Sequence, residues 1–168
     1  MVYLSKLDTM SVQSVRKIFE EAGLSDSLLY SDVVSDTVES SAELIGCEPK
    51  QIAKTMLFII DEKPIAIVTS GDAKIDNKKY NNQFRTKAKM IHFDEVEKYS
   101  GHIPGGVSPF GMKDGVDLYL DISLKRFDIV YAGGGDEHNT VKCSINQLEK
   151  YSNYISWIDV CKNWNEQN

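Results

Sequence analysis

Cysteine, proline, histidine and tryptophan are all scarce in this chain of 168 residues, which carries 3 Cys, 4 Pro, 3 His and 2 Trp. The cysteines, Cys47, Cys143 and Cys161, are odd in number, far apart and without a CxxC pair. That argues against a disulfide framework and against a zinc site, and leaves reduced, partly buried thiols. The histidines, His92, His102 and His138, have no metal-ligand spacing, and no serine or cysteine stands in a nucleophile-elbow motif. Neither a metal nor a covalent mechanism has support, and no cofactor is expected. The chain also lacks GxxxxGK[ST] and GxGxxG, so no triphosphate or dinucleotide site follows. Its longest apolar run is residues 56–60, against the ~20 residues of a membrane-spanning helix, so no membrane partner is expected. The first seven residues include Lys6 and no apolar stretch leading to a cleavage site, which argues against a secretory signal and makes the cytoplasm the default location.

What is present is an ordinary globular composition, 42% hydrophobic and 26% charged, enough for one well-buried core. Net charge is −6, which disfavours binding to bare nucleic acid. Its distribution is uneven. Between Asp72 and Lys89 six basic residues face two acidic ones, giving +4 there and −10 elsewhere. One face can therefore meet phosphate while the molecule as a whole repels it.

Val12, Val15, Ile18, Phe19 and Ala22 recur at helical spacing, with Ser11 as the predicted N-cap and Gly23 as the stop. An extended stretch over 28–34 precedes a helix capped by Thr37 and ended by Gly46, and Pro49 opens another short helix. The apolar runs 55–61 and 65–69 read as two buried strands in a hairpin. Helices are predicted over 76–84 and 93–99, strands over 118–122, 129–132 and 140–145, and helices over 147–151 and 155–164. Helices and strands interleave, yet several strands are joined by hairpin-length links. A mixed sheet in one α+β domain fits better than a doubly wound fold.

Three features can carry chemistry. Lys54 stands at the mouth of the first buried strand, on the face of Met56, Phe58 and Ile60, because side chains alternate along a strand. Either it snorkels to water or it sits at a pocket rim facing a phosphate or carboxylate. The stretch 101–111, GHIPGGVSPFG, holds four glycines and two prolines, which suits a rigid loop whose backbone groups serve as ligands, or else a tight surface connection. The turn 132–139, AGGGDEHN, has more glycine than a hairpin needs and ends on His138, itself open to reading as a partly exposed polar residue like His92 and His102.

In order, Thr37-Val-Glu, Gln51-Ile-Ala-Lys-Thr-Met-Leu-Phe58, Gly105-Gly-Val-Ser-Pro-Phe-Gly111, Leu120-Asp-Ile-Ser-Leu124 and the glycines 133–135 resemble the YbaK and prolyl-tRNA-synthetase-associated domains, which hydrolyse wrongly charged aminoacyl-tRNA. The likeness runs from about Ser11 to Tyr151. It implies one domain over 1–168, a mixed and partly barrel-like sheet flanked by helices, and a deacylase acting on the acceptor end of aminoacyl-tRNA, with prolyl-tRNA synthetase as a possible partner. By resemblance Lys54 is required, Gly105 and His138 join it in catalysis, and Thr37, Phe58, Gly106, Val107, Ser108, Pro109 and Gly134 bind substrate. Lys78, Lys79 and Arg85 are the expected tRNA contacts. Asn139 stands where members acting on cysteinyl-tRNA tend to carry aspartate. An aminoacyl ester is already activated, so positioned water and donors for the developing oxyanion suffice, with Gly105 and Gly106 backbone groups expected in that role. The alternative is a non-catalytic module on the same fold that recognises a synthetase or an aminoacyl-like ligand.

Overall fold

The protein is represented by a computed structural model that describes residues 9–165. The reading made of residues 1–7 therefore lies outside the described residues. The chain opens with helix α1 (Met10–Glu21), whose Val12, Val15 and Phe19 face the core. Thr9, not Ser11, is its N-cap, accepting from the Val12 N–H. Ser11 is instead buried and tied to distant loops.

Strand β1 (Leu28–Tyr30) is followed by α2 (Val38–Ile45), which Thr37 caps in a reciprocal bond pair with Ser40 and Gly46 ends in the left-handed region, as that composition demands. A single 3-10 turn at Pro49–Gln51 leads into β2 (Ile52–Ile60) and β3 (Lys63–Ser70). These two form the predicted hairpin, joined by Asp61 and Glu62, both with positive φ as a two-residue type I′ link requires. Strand β4 (Lys74–Ile75) and α3 (Asn77–Phe84, capped by Asp76) follow, then a 3-10 turn and α4 (Val96–Ser100). After the glycine-rich loop come β5 (Asp117–Asp121), β6 (Ile129–Gly133), β7 (Asn139–Ser144) and α5 (Ile145–Tyr151).

The predicted helix over 155–164 does not form. In its place lie β8 (Trp157–Ile158), parallel to β5, and β9 (Cys161–Lys162), antiparallel to β4. Ile155, Ile158 and Cys161 recur at helical spacing, but tertiary bonds win. Ile155 N–H donates to Leu118 O, Leu120 N–H to Ser156 O, and Val160 N–H to the buried Asp121 carboxylate.

Seven strands make one mixed sheet in the order β1-β7-β6-β2-β3-β5-β8, open at both ends rather than closed into a barrel. Strand alternation sends Leu57 and Ala66 to one face and Phe58 and Ile67 to the other. The first face packs on α1 and α5. There Phe19 is fully buried, edge-on to Phe110 with centroids 4.8 Å apart, and contributes ~1.5–3 kcal/mol of burial. The second face packs on α3 through Tyr80 and on Cys161. Cys143 and Cys161 are buried, Cys47 partly so, and all three are free thiols.

One seam in this sheet places the site. Strands β2 and β6 pair in parallel at only two positions, Ile52↔Tyr131 and Ala53↔Ala132, and then diverge.

Candidate functional site

Where β2 and β6 part, a cavity of about 450 Å³ opens, floored by Ala53, Lys54 and Thr55 on one side and Tyr131, Ala132 and Gly133 on the other. Leu44 and Ile45 of α2 and Leu29 and Tyr30 of β1 supply apolar wall, and Gly105, Val107, Asp136, Glu137 and His138 line the rest. A mostly apolar cleft with a few convergent polar groups is the usual form of a small-molecule site.

Two loops make its wall by direct contact between backbones. A methyl group on Gly106 would stand 2.2 Å from Asp136 Cα, and one on Gly133 would stand 2.3 Å from Val107 O. Only hydrogen fits at either position. Gly135 N–H donates to Gly106 O at 2.9 Å, which fastens the glycine turn to the loop. Behind both sits His102, fully buried, with Nε2 2.8 Å from Phe110 O and Nδ1 2.8 Å from Ser11 Oγ. Ser11 Oγ also donates to Gly135 O at 2.6 Å. The expectation of a partly exposed His102 is therefore corrected. Burial pushes its pKa down, while the bond to Phe110 O opposes the shift.

Lys54 lines the cavity and is half-buried. Burial lowers its pKa, and the nearby Cys161 and Asp72 partly restore it. His138 is held by two bonds to Ser31: Ser31 N–H donates to His138 O, and the ring Nδ1 lies 2.9 Å from Ser31 O. A carbonyl only accepts, so Nδ1 carries the hydrogen and Nε2 is left as an acceptor. The ring stacks on Tyr30, with centroids 5.8 Å apart and planes at 19°. Asp136 Oδ1 accepts from the His138 N–H and from Asn139 Nδ2, fixing the turn.

Four of the predicted residues, Lys54, Gly105, Val107 and His138, are thus brought to one cavity from three separate segments. Gly105 has φ +90°, a conformation that favours glycine, and lies against Glu137. The others stand elsewhere. Thr37 caps α2 at the surface. Phe58 is buried against Tyr80, with ring centroids 5.3 Å apart, since four residues of strand carry it ~13 Å from Lys54 along the same face. Gly106 is buried in the loop contact, and its N–H donates to Ile103 O, so that group is not open to an oxyanion. Ser108 is buried, with Oγ accepting from the Phe110 N–H, and Pro109 is buried beside it. Gly134 bonds back to Asn139 O within the turn.

On α3, Lys78 is exposed and Arg85 ends the helix at the surface. Lys79 is already engaged, 3.0 Å from Asp159 Oδ1 and 3.0 Å from Cys161 O. Sequence reasoning passed over Thr55, Tyr30, Asp136 and Glu137. Thr55 acts through main-chain groups, which leave no residue signal; Tyr30 reaches the site by pairing with Asn139, more than a hundred positions on, and Asp136 and Glu137 by packing on Gly106 and Gly105, some thirty positions back. Among the described residues no three His, Cys, Asp or Glu side chains converge as a metal site, and no helix is long and apolar enough to cross a membrane.

Comparison with known proteins falls in line with this geometry. Residues 34–151 match the family described as the aminoacyl-tRNA editing domain. A Bacillus subtilis protein, the uncharacterized YwhH, is 40% identical over 92% of this chain and 99% of its own length. EbsC of Enterococcus faecalis, described as a candidate Cys-tRNA(Pro)/Cys-tRNA(Cys) deacylase, is 31% identical over 59% of this chain and 62% of its own. Proline--tRNA ligase of Limosilactobacillus fermentum is 27% identical over 77% of this chain, which spans only 23% of that enzyme. Among solved structures, a protein described as a candidate trans-editing enzyme for prolyl-tRNA synthetase superposes with a TM-score of 0.81 at 22% identity, covering 93% of this chain and 99% of the other.

Proposed function

This chain belongs to the aminoacyl-tRNA editing domain family, and from that premise we propose that it hydrolyses the ester of a mischarged aminoacyl-tRNA in trans, with tRNA-Pro carrying a small non-cognate amino acid as its substrate. The observation that carries the reading is the convergence of Lys54, Gly105, Val107 and His138 on one cavity of about 450 Å³, open between two diverging strands. A cleft of that size admits an aminoacyl group and part of a ribose, not a duplex.

The chemistry needs no protein nucleophile. Water adds to the acyl carbon, the bond to the ribose oxygen breaks, and the proton released by water passes to that oxygen, giving a free amino acid and an uncharged 3′ end. Lys54, a cation at the cavity floor, holds the terminal phosphate or the ester region. His138 Nε2 is an acceptor that holds the water. Selection rests on volume, where one methylene is worth ~1–3 kcal/mol, enough to exclude a larger side chain sterically. Val107 is the wall residue that sets this limit. The resemblance to the synthetase regions supports prolyl-tRNA synthetase as the supplier of substrate, in the cytoplasm.

The test is a deacylation panel of tRNA-Pro charged with alanine, serine, cysteine or proline, run on wild type and on Val107→Phe. The reading expects release of a small residue by wild type and a shift toward the smallest in the variant. Tight binding of charged tRNA with no release from any member of the panel would replace the deacylase with a binding module.

A further inference from the structure

The seam between β2 and β6 has a polar consequence that can be worked out rung by rung. In the hairpin, Ile60 and Lys63 flank the two-residue turn, so the even-numbered residues of β2 exchange bonds with β3 and the odd-numbered ones turn their N–H and C=O the other way. Two bonds fix this parity: Leu57 O accepts from Ile91 N–H, and Ile59 N–H donates to Lys89 O. Ala53, at the other end, pairs with β6. Thr55 lies between these two covered stretches, and its N–H and C=O face the gap, where no strand of the described residues is paired with it. Its hydroxyl is buried without a hydrogen-bond partner.

The same argument holds across the gap. Gly134 N–H donates to Asn139 O, so even-numbered residues of β6 face β7 and odd-numbered ones face β2. Gly133 therefore turns its C=O into the gap as well. The missing rung offers one donor, Thr55 N–H, and two acceptors, Thr55 C=O and Gly133 C=O, and Thr55 and Gly133 both line the cavity. Main-chain groups left without a strand partner at a cavity wall are open to a ligand's hydrogen bonds.

We propose that the acyl residue of the substrate completes this rung: Thr55 N–H donates to the acyl carbonyl oxygen, while a free α-ammonium donates to Thr55 C=O and Gly133 C=O. An α-amino ester fits because its nitrogen and carbonyl oxygen point the same way in an extended conformation, as one residue of an antiparallel pair does. The site thus takes esters with an unblocked α-amino group, and the Thr55 N–H becomes the donor for the oxyanion formed as water adds, the part Gly106 N–H is not free to play. This rests on the deacylase reading above, which assigns no group to the acyl carbonyl or the α-ammonium.

Two measurements separate the inference from that reading. Binding of uncleavable 3′-alanylamido-adenosine and its 3′-lactylamido counterpart, in which hydroxyl replaces ammonium at equal size, is compared by calorimetry. The alanyl compound is expected to bind ~10-fold or more tightly, the scale of a charged hydrogen bond lost. Equal affinities overturn the inference. Hydrolysis of alanyl-minihelix is then compared between wild type and protein in which Thr55 is replaced by its α-hydroxy acid, which deletes only that N–H. A fall in kcat of ~10²–10³ with little change in KM is expected of an oxyanion donor. Full activity in the ester-backbone protein, verified as folded by its melting temperature, overturns the assignment of Thr55. Discrimination between the two amides with no turnover by wild type would sink the deacylase reading and leave the rung standing.

Discussion

Replacing Gly133 by alanine tests whether the two cavity walls are one unit. A methyl group there would stand 2.3 Å from Val107 O and 3.0 Å from Val107 C, inside the 3.0 Å that real contacts keep from the oxygen. Gly133 is not in the left-handed region, so the perturbation is steric alone. The loop must retreat from the turn by at least about 0.7 Å, the gap between those two distances. Overpacking of this kind costs ~1–3 kcal/mol. For a chain of this size each kcal/mol lowers Tm by ~2–4 °C, so a loss of roughly 2–12 °C is expected. Displacement of ~1 Å at a reacting centre costs about a hundredfold in rate, and kcat/KM for alanyl-tRNA should fall by a comparable factor. Scanning calorimetry reads the first effect and a deacylation assay the second. A Gly133→Ala protein with unchanged Tm and wild-type turnover would refute the claim that Val107 and Gly133 are in rigid contact. Gly105→Ala makes the contrast: its methyl meets the movable Glu137 side chain at 3.0 Å, and its cost comes from φ +90° instead.

Lys54→Ala should lose nearly all deacylation with little change in Tm, and Lys54→Arg should fail too, because a planar fork does not replace a compact ammonium; wild-type turnover in either variant removes Lys54 from the mechanism. Since burial lowers the Lys54 pKa, wild-type activity should decline with rising pH before the ordinary lysine value of 10.5 is reached, in a kcat/KM profile. Substituting Lys78 and Arg85 by alanine should weaken tRNA binding and flatten its salt dependence at unchanged Tm, whereas adding Lys79→Ala should also lower Tm, because Lys79 fastens α3 to Asp159 and Cys161 O; an unchanged salt slope means tRNA approaches elsewhere. The lowered pKa of His102 means the unfolded chain binds its proton more readily. Stability is therefore expected to fall as pH drops through and below about 6.5, and His102→Gln should remove that part of the acid limb in urea titrations.

The parts of the fold that sequence made legible are those where local pattern and tertiary demand agree. The apolar runs of β2 and β3 are buried strands, α1 presents Val12, Val15 and Phe19 at helical spacing, and Thr37 and Gly46 bracket α2. The segment 155–164 was misread because its apolar spacing suits a helix while its partners, Leu118, Leu120 and Asp121, lie some forty residues away. The site divides in the same way. Lys54, Gly105, Val107 and His138 could be picked out from composition and resemblance, and the structure brings them to one cavity. Phe58 could not be separated from them by pattern, because facing the same way as Lys54 on a strand does not mean reaching the same pocket. Thr55 was passed over for the converse reason: its importance lies in main-chain groups, which carry no residue signature. Ser11 and His102 meet across 91 positions, beyond any local pattern.

The Ser11 hydroxyl has a single hydrogen and two acceptors within reach, Gly135 O at 2.6 Å and His102 Nδ1 at 2.8 Å. Phe110 O claims the hydrogen on Nε2, so a neutral imidazole has none to offer at Nδ1. In the neutral state the junction behind the cavity is therefore one proton short. The hydroxyl gives its hydrogen to Gly135 O and accepts from the Ile103 N–H at 3.4 Å, so it fastens α1 to the glycine turn and to the loop together, and the His102 contact is the one left without a hydrogen. An imidazolium would supply the missing hydrogen at Nδ1, yet burial opposes that charge. The wall is thus held by packing and by the two bonds that Ser11 makes at once, without a charge on the imidazole.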